Sequence, residues 1–255
     1  MADNVIGFYE SLADFYHLIF EDWDSAIERQ AQALDGLLTK QNARNPLRIL
    51  DCACGIGTQA IGLAMLGHRV TGSDLSSTAV NRAQLEAQRR TLSISFYVSD
   101  MTSLEEVPES GFDAVIAMDN ALPHLSGSEL GQAAAAIASK LKPNGILMAS
   151  IRDYDTLMVE RPAIQEPALY GPLGSRRIVH QVWDWAGDSS YVLHLYITVQ
   201  SNREWRTHHF VSDYRCLLRS ELSAVLSDAG FESVRWLMPT ESGFYQPIVL
   251  ARLPA

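Results

Sequence analysis

The chain has 255 residues, 47% of them hydrophobic, and its thirty acidic and twenty basic side chains give a formal net charge of -10. This acidity opposes binding to a phosphate backbone, and the arginine pairs at 89–90 and 176–177 are isolated, so we predict no nucleic-acid partner. No segment is apolar over the length that a bilayer requires, and the N-terminus lacks a signal-peptide pattern, so we predict no membrane partner and a cytoplasmic location.

The spacing of cysteine and histidine argues against a metal or a disulfide framework. The three cysteines, Cys52, Cys54 and Cys216, cannot all pair with one another, so reduced thiols are expected. One residue separates Cys52 from Cys54, whereas about two to four residues separate most paired zinc ligands. His208 and His209 would point to opposite faces of a strand. The sequence therefore predicts no metal.

The first 150 residues contain helices and then alternating strands and helices. Apolar side chains three and four residues apart predict helices over 8–40, which a break over 42–46 ends. Apolar runs predict strands over 48–54, 68–74, 93–100, 112–119 and 145–152. Helices are predicted between them, up to residue 65, over 76–90 and over 129–141. This alternation predicts a parallel sheet that is covered by helices on both faces.

The C-terminal part has a different pattern. Strands are predicted over 178–183, 191–199 and 204–210, and they follow one another without helices, so we expect an antiparallel insertion. A helix is predicted over 212–229. The last two strands, over 231–237 and 244–252, are joined by a loop too short for a parallel crossover, so they must be antiparallel.

The carboxyl ends of the parallel strands form the predicted ligand rim. At the first of them, the sequence Gly-Ile-Gly-Thr-Gln-Ala at 55–60 fits a Gly-x-Gly-x-x-Gly/Ala turn, which lets a ligand approach the backbone closely. About twenty residues on, Asp74 could accept hydrogen bonds from ribose hydroxyls, or it could be an N-terminal carboxylate of the next helix. Asp51 before the turn would attract a cationic ligand and repel a pyrophosphate, which favours a methyl donor over nicotinamide.

These features resemble the class I S-adenosylmethionine-dependent methyltransferases, and the resemblance spans most of the chain. It implies an α/β fold with a Rossmann-like sheet of seven strands, the last one antiparallel. It also implies an N-terminal helical cap at 1–43, a donor-binding domain at 44–154 and 211–255, and an inserted antiparallel substrate lid at 155–210. In this family Gly55 and Gly57 would pack under the methionine part of the donor, and Asp100 with Met101 would hold the adenine.

Three segments more narrowly resemble the glycine and glycine/sarcosine N-methyltransferases: residues 119–125, residues 150–155, and residues 9–16 with Trp23 and Arg29. The resemblance implies that Arg152 grips a substrate carboxylate, that Asn120 faces the amine and that Tyr16 and Arg29 meet the donor. The implied catalytic residues are Asn120, Arg152 and Tyr16. The implied donor-binding residues are Tyr16, Trp23, Arg29, Asp51, Cys52, Gly55, Gly57, Thr58, Asp74, Leu75, Asp100, Met101 and Asp119. The implied substrate-binding residues are Asn120, His124, Arg152, Tyr154, Tyr214 and Tyr245.

Other roles stay open for several of these side chains. Arg152 could form a structural salt bridge with Asp153 or Asp155, and His124 is interpreted as a hydrogen-bonded wall residue rather than a base. Another possible role for Tyr245 is simply to shape the last turn. The aromatic residues Tyr16, Trp183 and Tyr214 could contact the positive methyl region or simply pack in the core.

The sequence therefore predicts a methyltransferase that uses S-adenosylmethionine, forms S-adenosylhomocysteine and needs no metal. Glycine, sarcosine or a similar amino acid is the predicted acceptor, by in-line transfer to nitrogen that depends mainly on positioning. The alternatives are another natural-product amine or hydroxyl, a nicotinamide-dependent oxidoreductase, and a non-catalytic donor-binding protein. A small-molecule acceptor is the expected partner, and a homo-oligomer stays open.

Overall fold

The computed structural model describes residues 2–41 and 45–255, with side chains from Val5 onward. Its N-terminal part consists of helices, as the apolar spacing predicts: α1 (Ala2–Leu12), a 3₁₀ helix (Tyr16–Ile19) and α2 (Trp23–Gln41). The predicted break over 42–46 starts outside the described residues. The predicted boundary between the helical cap and the donor-binding domain, at 43/44, also lies outside them. Within the described ranges, no helix is long and apolar enough to cross a bilayer.

A seven-stranded sheet forms the centre of the molecule. Its strands are β1 (Arg48–Asp51), β2 (Arg69–Asp74), β3 (Ser95–Val98), β4 (Phe112–Ala117), β5 (Leu141–Ser150), β10 (Glu232–Leu237) and β11 (Ile248–Arg252). They lie in the order β10-β11-β5-β4-β1-β2-β3, and β11 runs antiparallel to both of its neighbours. The prediction of a seven-stranded sheet with a reversed last strand is confirmed.

Helices cover both faces of this sheet because its central strands are apolar on both sides. Three of the helices are α3 (Thr58–Met65), α4 (Ser77–Arg89) and α5 (Gly127–Lys140). All six residues of β4 are buried. Helix α2 packs closely on α3. A Cβ added at Gly62 of α3 would lie only 2.7 Å from the Cβ of Ala31 of α2. The N-terminal helices are thus built onto the sheet domain.

After β5, residues 154–215 form one helix and a second, four-stranded sheet. Helix α6 (Tyr154–Glu160) leads into β6 (Ile164–Tyr170), β7 (Arg177–Ala186), β8 (Ser190–Ser201) and β9 (Glu204–Arg215). All neighbouring strands pair antiparallel, so the predicted antiparallel insertion is confirmed. Strand β6 was not predicted. It lies at an edge and contains Pro167 beside an irregularity in the pairing, where a proline is tolerated.

The prediction of a helix over 212–229 is wrong at its start. Residues 212–215 continue β9, where Ser212 pairs with Leu193 and Tyr214 with Tyr191. The side chains of Phe210, Ser212 and Tyr214 all point to one buried face, which is the period of a strand. Helix α7 begins at Arg219 and ends at Asp228. The loop before β11 contains a short helix, α8 (Pro239–Ser242). Strand β11 begins only at Ile248 and is therefore shorter than the predicted strand over 244–252.

Candidate functional site

The carboxyl ends of the parallel strands open into two adjoining cavities. The large cavity, of about 890 Å³, lies between the N-terminal helices, the four-stranded sheet and the loop before β11. The small cavity, of about 100 Å³, lies over the glycine turn, with Val5 of α1 in its wall. Tyr9, Tyr16 and Asp119 line both cavities. The predicted rim is therefore a real concave site with two compartments.

The glycine turn and Asp74 form one hydrogen-bonded unit in the small cavity. Gly55 and Gly57 have positive φ angles of 50° and 94°, which other residues rarely adopt. The Gly55 N–H donates to Oδ2 of Asp74 at 2.8 Å, and the Ser76 N–H donates to Oδ1 at 2.9 Å. Burial raises the pKa of Asp74. The carboxylate thus both supports the turn and faces the cavity, as its predicted role requires.

Most of the predicted donor-binding residues line the small cavity. They are Tyr16, Cys52, Gly55, Thr58, Asp74, Leu75, Asp100, Met101 and Asp119. Trp23 instead packs behind the wall, where its indole N–H donates to the Thr58 hydroxyl at 2.9 Å. Arg29 lines the large cavity, and Gly57 packs against Ile61 beneath the turn. The roles of these three toward a donor stay predictions.

Asp51 lies at the end of β1 with its carboxylate fully buried. The N–H groups of Ala53 and Ala60 approach it, but neither oxygen completes a hydrogen bond within the described structure. Burial raises the pKa of Asp51 to about 8, and the neighbouring carboxylates of Asp74 and Asp119 add to the rise. The ionised form of a buried carboxylate is costly unless a cation approaches it. Asp51 therefore fits a cationic ligand at this end of the sheet.

Arg152 faces the large cavity between two aromatic rings. Its guanidinium carbon lies 4.8 Å from the centre of Trp183 and 5.2 Å from that of Tyr214. Two of its N–H groups donate to neutral oxygens, the Tyr191 hydroxyl and Oε1 of Gln181. Because a guanidinium has five N–H groups, others stay free for a ligand.

The alternative that Arg152 pairs with Asp153 or Asp155 is wrong. Arg219 instead forms ion pairs with both carboxylates, at 2.7 Å to Asp153 and 3.4 Å to Asp155. In the parts of the chain that the structure describes, Arg152 forms no ion pair with a carboxylate. A cation lining a cavity without an acidic partner is suited to bind an anion.

Asn120 and Tyr154 lie beneath Arg152 and line neither cavity. The Asn120 amide accepts the Arg152 backbone N–H at 2.9 Å and donates to the Tyr154 hydroxyl at 2.9 Å. That hydroxyl lies 3.1 Å from the hydroxyl of Tyr191. In this structure the two side chains thus position the arginine and its tyrosine partner. Their predicted contacts with an acceptor stay predictions.

His124 and Tyr214 form part of the aromatic wall. Nε2 of His124 lies 2.9 Å from the Tyr9 hydroxyl, and its ring centre is 4.1 Å from that of Tyr214. Burial lowers the pKa of His124 to about 3, and the positive charge of Arg152 adds to the fall. The imidazole is therefore neutral at physiological pH, which agrees with its interpretation as a wall residue.

Tyr245 does more than shape the last turn. Its hydroxyl donates to Oδ1 of Asp119 at 2.5 Å, and Nε2 of Gln59 donates to Oδ2 of Asp119 at 2.8 Å. Asp119 and Asn120 both have positive φ angles, 57° and 68°, which are uncommon for residues other than glycine. Such strained backbone is concentrated at functional sites.

Residues of the site that sequence reasoning missed include Tyr9, Gln59, Ser99, Gln181 and Tyr191. Ser99 lines the small cavity and has a buried hydroxyl without a partner in the described structure. Its one signal is its position directly before Asp100. Gln181 and Tyr191 lie on the four-stranded sheet, where strand alternation places Gln181 on the same face as Trp183. That alternation could have identified Gln181.

Comparisons with known proteins agree with this geometry. Residues 49–145 match the family model described as a methyltransferase domain. The glycine N-methyltransferase of Oryctolagus cuniculus is 33% identical over 160 residues, which cover 57% of this chain and 53% of the relative. The glycine/sarcosine N-methyltransferase of Parasynechococcus marenigrum is 31% identical over 146 residues, which cover 57% of this chain and 51% of the relative. The chain thus spans about half the length of the curated relatives it matches.

A solved structure matches nearly the whole chain. It is that of DesVI from Streptomyces venezuelae, with a TM-score of 0.75 and 21% identity. The match covers 96% of this chain and 98% of DesVI, and therefore includes the N-terminal helices and the four-stranded sheet. It shows that the two proteins share a fold.

Proposed function

We propose that this chain, which carries a methyltransferase domain of class I fold, is an S-adenosylmethionine-dependent N-methyltransferase of an amine that bears a carboxylate. Glycine, sarcosine or a similar amino acid is the first candidate for the acceptor. The observation that carries the proposal is the position of Arg152, a cation on the wall of the large cavity that is bonded only to neutral oxygens in the described structure.

The small cavity is the proposed donor site. When bound, S-adenosylmethionine supplies an electrophilic methyl group on a positively charged sulfur. Asp74 would accept hydrogen bonds from the ribose, as a carboxylate at the end of the second strand does in dinucleotide folds. Asp51 would stabilise the positive charge of the donor, because it lies buried close to Asp74 and neither of its oxygens completes a hydrogen bond in the described structure. These residues therefore fit the cofactor.

The large cavity is the proposed acceptor site. Arg152 presents a planar fork that matches two carboxylate oxygens. Trp183 and Tyr214 both contact this fork through their rings, and Tyr191 and Gln181 accept hydrogen bonds that fix its rotation. An amino acid held by its carboxylate would keep its amine at a fixed distance from the wall. Such positioning is the main source of acceleration that a methyl transfer requires.

The size of the large cavity favours a second candidate acceptor. Its volume of about 890 Å³ lies near the upper end of the range of roughly 300–1,000 Å³ for drug-sized ligands, and glycine would fill little of it. Much of its wall is apolar, with Phe20, Leu157 and Met238 among the lining residues. A larger amine that carries an acidic group and an apolar part would bury more of this wall.

The proposal is tested by measuring the release of S-adenosylhomocysteine from S-adenosylmethionine with a panel of amines. The panel contains glycine, sarcosine, amino acids with larger side chains, and the amide of each. We expect turnover with the acids and little with the amides. Asp74→Ala serves as a donor-site control and should lower turnover with every acceptor when the donor is limiting. Tight donor binding without product from any amine would instead support a non-catalytic donor-binding protein.

A further inference from the structure

The two cavities meet at the side chains of Tyr9, Tyr16 and Asp119, which line both of them. If the small cavity holds the donor and the large cavity holds the acceptor, the methyl group must cross at this junction. Among the described residues, Asp119 is the one carboxylate that lines both cavities. Its charge therefore faces the place where an amine meets the positively charged methyl group.

We propose that Asp119 is the general base of the reaction, which takes a proton from the acceptor ammonium, and that Tyr245 leads this proton toward solvent. The inference rests on the proposed function and goes beyond it. It assigns a catalytic step to a residue that the sequence predicts only as a donor ligand.

The step balances in protons, electrons and charge. An amino acid nitrogen is mainly an ammonium ion at neutral pH and has no lone pair for attack. The Asp119 carboxylate accepts one proton from it and becomes a neutral acid. The freed nitrogen lone pair then forms the N–C bond while the C–S bond breaks, and the electron pair of that bond stays on sulfur. The positive charge moves from sulfur to the methylated nitrogen, and Asp119 afterwards returns its proton to solvent.

The carboxylate of Asp119 is held in place from several sides. Tyr245 donates to Oδ1 and Gln59 donates to Oδ2, and Gln59 also donates to Oε1 of Gln30 at 2.6 Å. The Asp119 backbone N–H donates to the Ser150 hydroxyl at 2.8 Å. Each carboxylate oxygen can accept more than one hydrogen bond, so both keep capacity toward the cavities. This is the preorganised geometry that a general base requires.

Tyr245 is the neighbour of Asp119 through which we infer that the proton leaves. This residue is 56% exposed, and its hydroxyl donates a hydrogen bond to the carboxylate that would hold the proton. Burial raises the pKa of Asp119, which makes it a better proton acceptor near neutral pH. The titratable groups that face Asp119 are Asp51 from β1, Tyr16 from the N-terminal region and Tyr245 from the loop before β11. The charge of Arg152 acts on both tyrosines.

Other candidate bases are less suitable. His124 has a pKa of about 3, because it is buried and lies near Arg152, so it would not hold a proton. Asp51 lines neither cavity, and Asp153 is paired with Arg219. Asp119 combines access to both cavities with a raised pKa and a hydrogen bond from the exposed residue Tyr245.

The first experiment tests the position of Asp119 without any acceptor. Calorimetry compares the affinities of the wild type and Asp119→Asn for S-adenosylmethionine and for S-adenosylhomocysteine. Because only the former carries the sulfonium charge, we expect its affinity to fall by about tenfold more than that of the latter. Asp155→Asn, which removes a carboxylate paired with Arg219 outside both cavities, should change neither affinity. Equal losses for the two ligands would overturn the proposal.

The second experiment tests the base itself. The turnover of wild type, Asp119→Asn and Tyr245→Phe is measured from about pH 6 to about pH 10 with the best amine of the panel. At pH 7, Asp119→Asn should lose on the order of a hundredfold and regain activity as solvent deprotonates the amine, and Tyr245→Phe should lose less. A parallel pH profile of wild type and Asp119→Asn would overturn the base while leaving the methyltransferase intact. An absence of turnover by wild type with every amine would overturn both proposals.

Discussion

The backbone N–H of Gly55 donates a 2.8 Å hydrogen bond to Oδ2 of Asp74, and this bond joins the glycine turn after β1 to the end of β2. The other carboxylate oxygen accepts the Ser76 N–H at the start of α4. Asp74 is thereby fixed before a ligand arrives. Its position is compatible with both of the roles that the sequence leaves open, since it lies before a helix and also lines the small cavity.

Replacing Asp74 should weaken donor binding strongly. We expect Asp74→Ala to reduce the affinity for S-adenosylmethionine by about 2–4 kcal/mol, because it removes charge-assisted bonds to both ribose hydroxyls. Asp74→Asn keeps the shape and a hydrogen-bonding oxygen and should lose less. Calorimetry on variants that unfold cooperatively measures both. An unchanged affinity in Asp74→Ala would remove this residue from the donor site.

Replacing Asp51 should stabilise the free protein at high pH. Its pKa of about 8 lies above the ordinary value of about 3.9, so the native state holds a proton that the unfolded chain releases. Stability is therefore lost as pH rises from about 4 to about 8, and it stays low above that. Asp51→Asn avoids this loss. Thermal unfolding should show a higher melting temperature than wild type at pH 8 and a smaller difference at pH 5.

The same variant should bind the donor less tightly. The positive charge of S-adenosylmethionine favours the ionised form of Asp51, so binding to wild type at pH 7 should release protons. Calorimetry in two buffers of different ionisation enthalpy measures this release. S-adenosylhomocysteine, which lacks the sulfonium, should release fewer protons. Equal proton release in wild type and Asp51→Asn would show that another group titrates.

Glu10 should act as a latch on the N-terminal helices. Its carboxylate accepts hydrogen bonds from the Thr78 hydroxyl at 2.8 Å and the Ser77 hydroxyl at 3.0 Å, at the positive N-terminus of α4. The small cavity beside α1 holds only about 100 Å³, less than the roughly 300 Å³ that small ligand sites usually provide. We therefore expect helix α1 to move when a whole donor molecule binds.

Hydrogen exchange should reveal this movement. Exchange across residues 5–29 should slow when S-adenosylmethionine binds. Glu10→Gln should speed exchange of α1 in the free protein and hasten donor dissociation by roughly twofold to fivefold, because it removes the charge at the helix N-terminus. The exposed Glu28 on α2 offers a control, Glu28→Gln, that should change neither rate. Equal exchange of residues 5–29 with and without donor would contradict the latch.

Local spacing was enough to predict most of the residues named here that line the small cavity. A glycine turn after an apolar strand and an acid at the end of the next strand lie within about twenty-five residues, and the parallel sheet brings them together. The seven-stranded sheet could be predicted for the same reason, because the spacing of apolar residues along the chain indicates which side chains of each strand and helix are buried. These features depend on neighbours in sequence or on one topological rule.

The wall of the large cavity around Arg152 depends on contacts that no local pattern reports. Arg219 lies more than sixty residues after Asp153, and their pairing leaves Arg152 without an acidic partner. Tyr191 reaches Arg152 only because the four-stranded sheet folds over the rim. The sequence over 212–229 also favours a helix, but its first residues form a strand because Tyr214 pairs with Tyr191. Tertiary pairing overrode local preference there.

The most direct test of the acceptor assignment is Arg152→Lys. Lysine keeps the positive charge but loses the planar fork and the stacking between Trp183 and Tyr214. We expect turnover of sarcosine to fall by on the order of tenfold to a hundredfold, because the amine is no longer held in line with the methyl group. Donor affinity should hardly change, since Arg152 lines the large cavity and not the small one.

Sarcosine amide separates the clamp from a general loss of activity. It has no carboxylate, so any activity of wild type toward it should be nearly the same in Arg152→Lys. Arg219→Lys is the matched control, because Arg219 lies next to the same segment but pairs with Asp153 and Asp155 outside the aromatic wall. It should keep the wild-type ratio of sarcosine to amide turnover. If Arg152→Lys lowers both turnovers equally, the arginine supports the fold of the site and the carboxylate clamp is wrong.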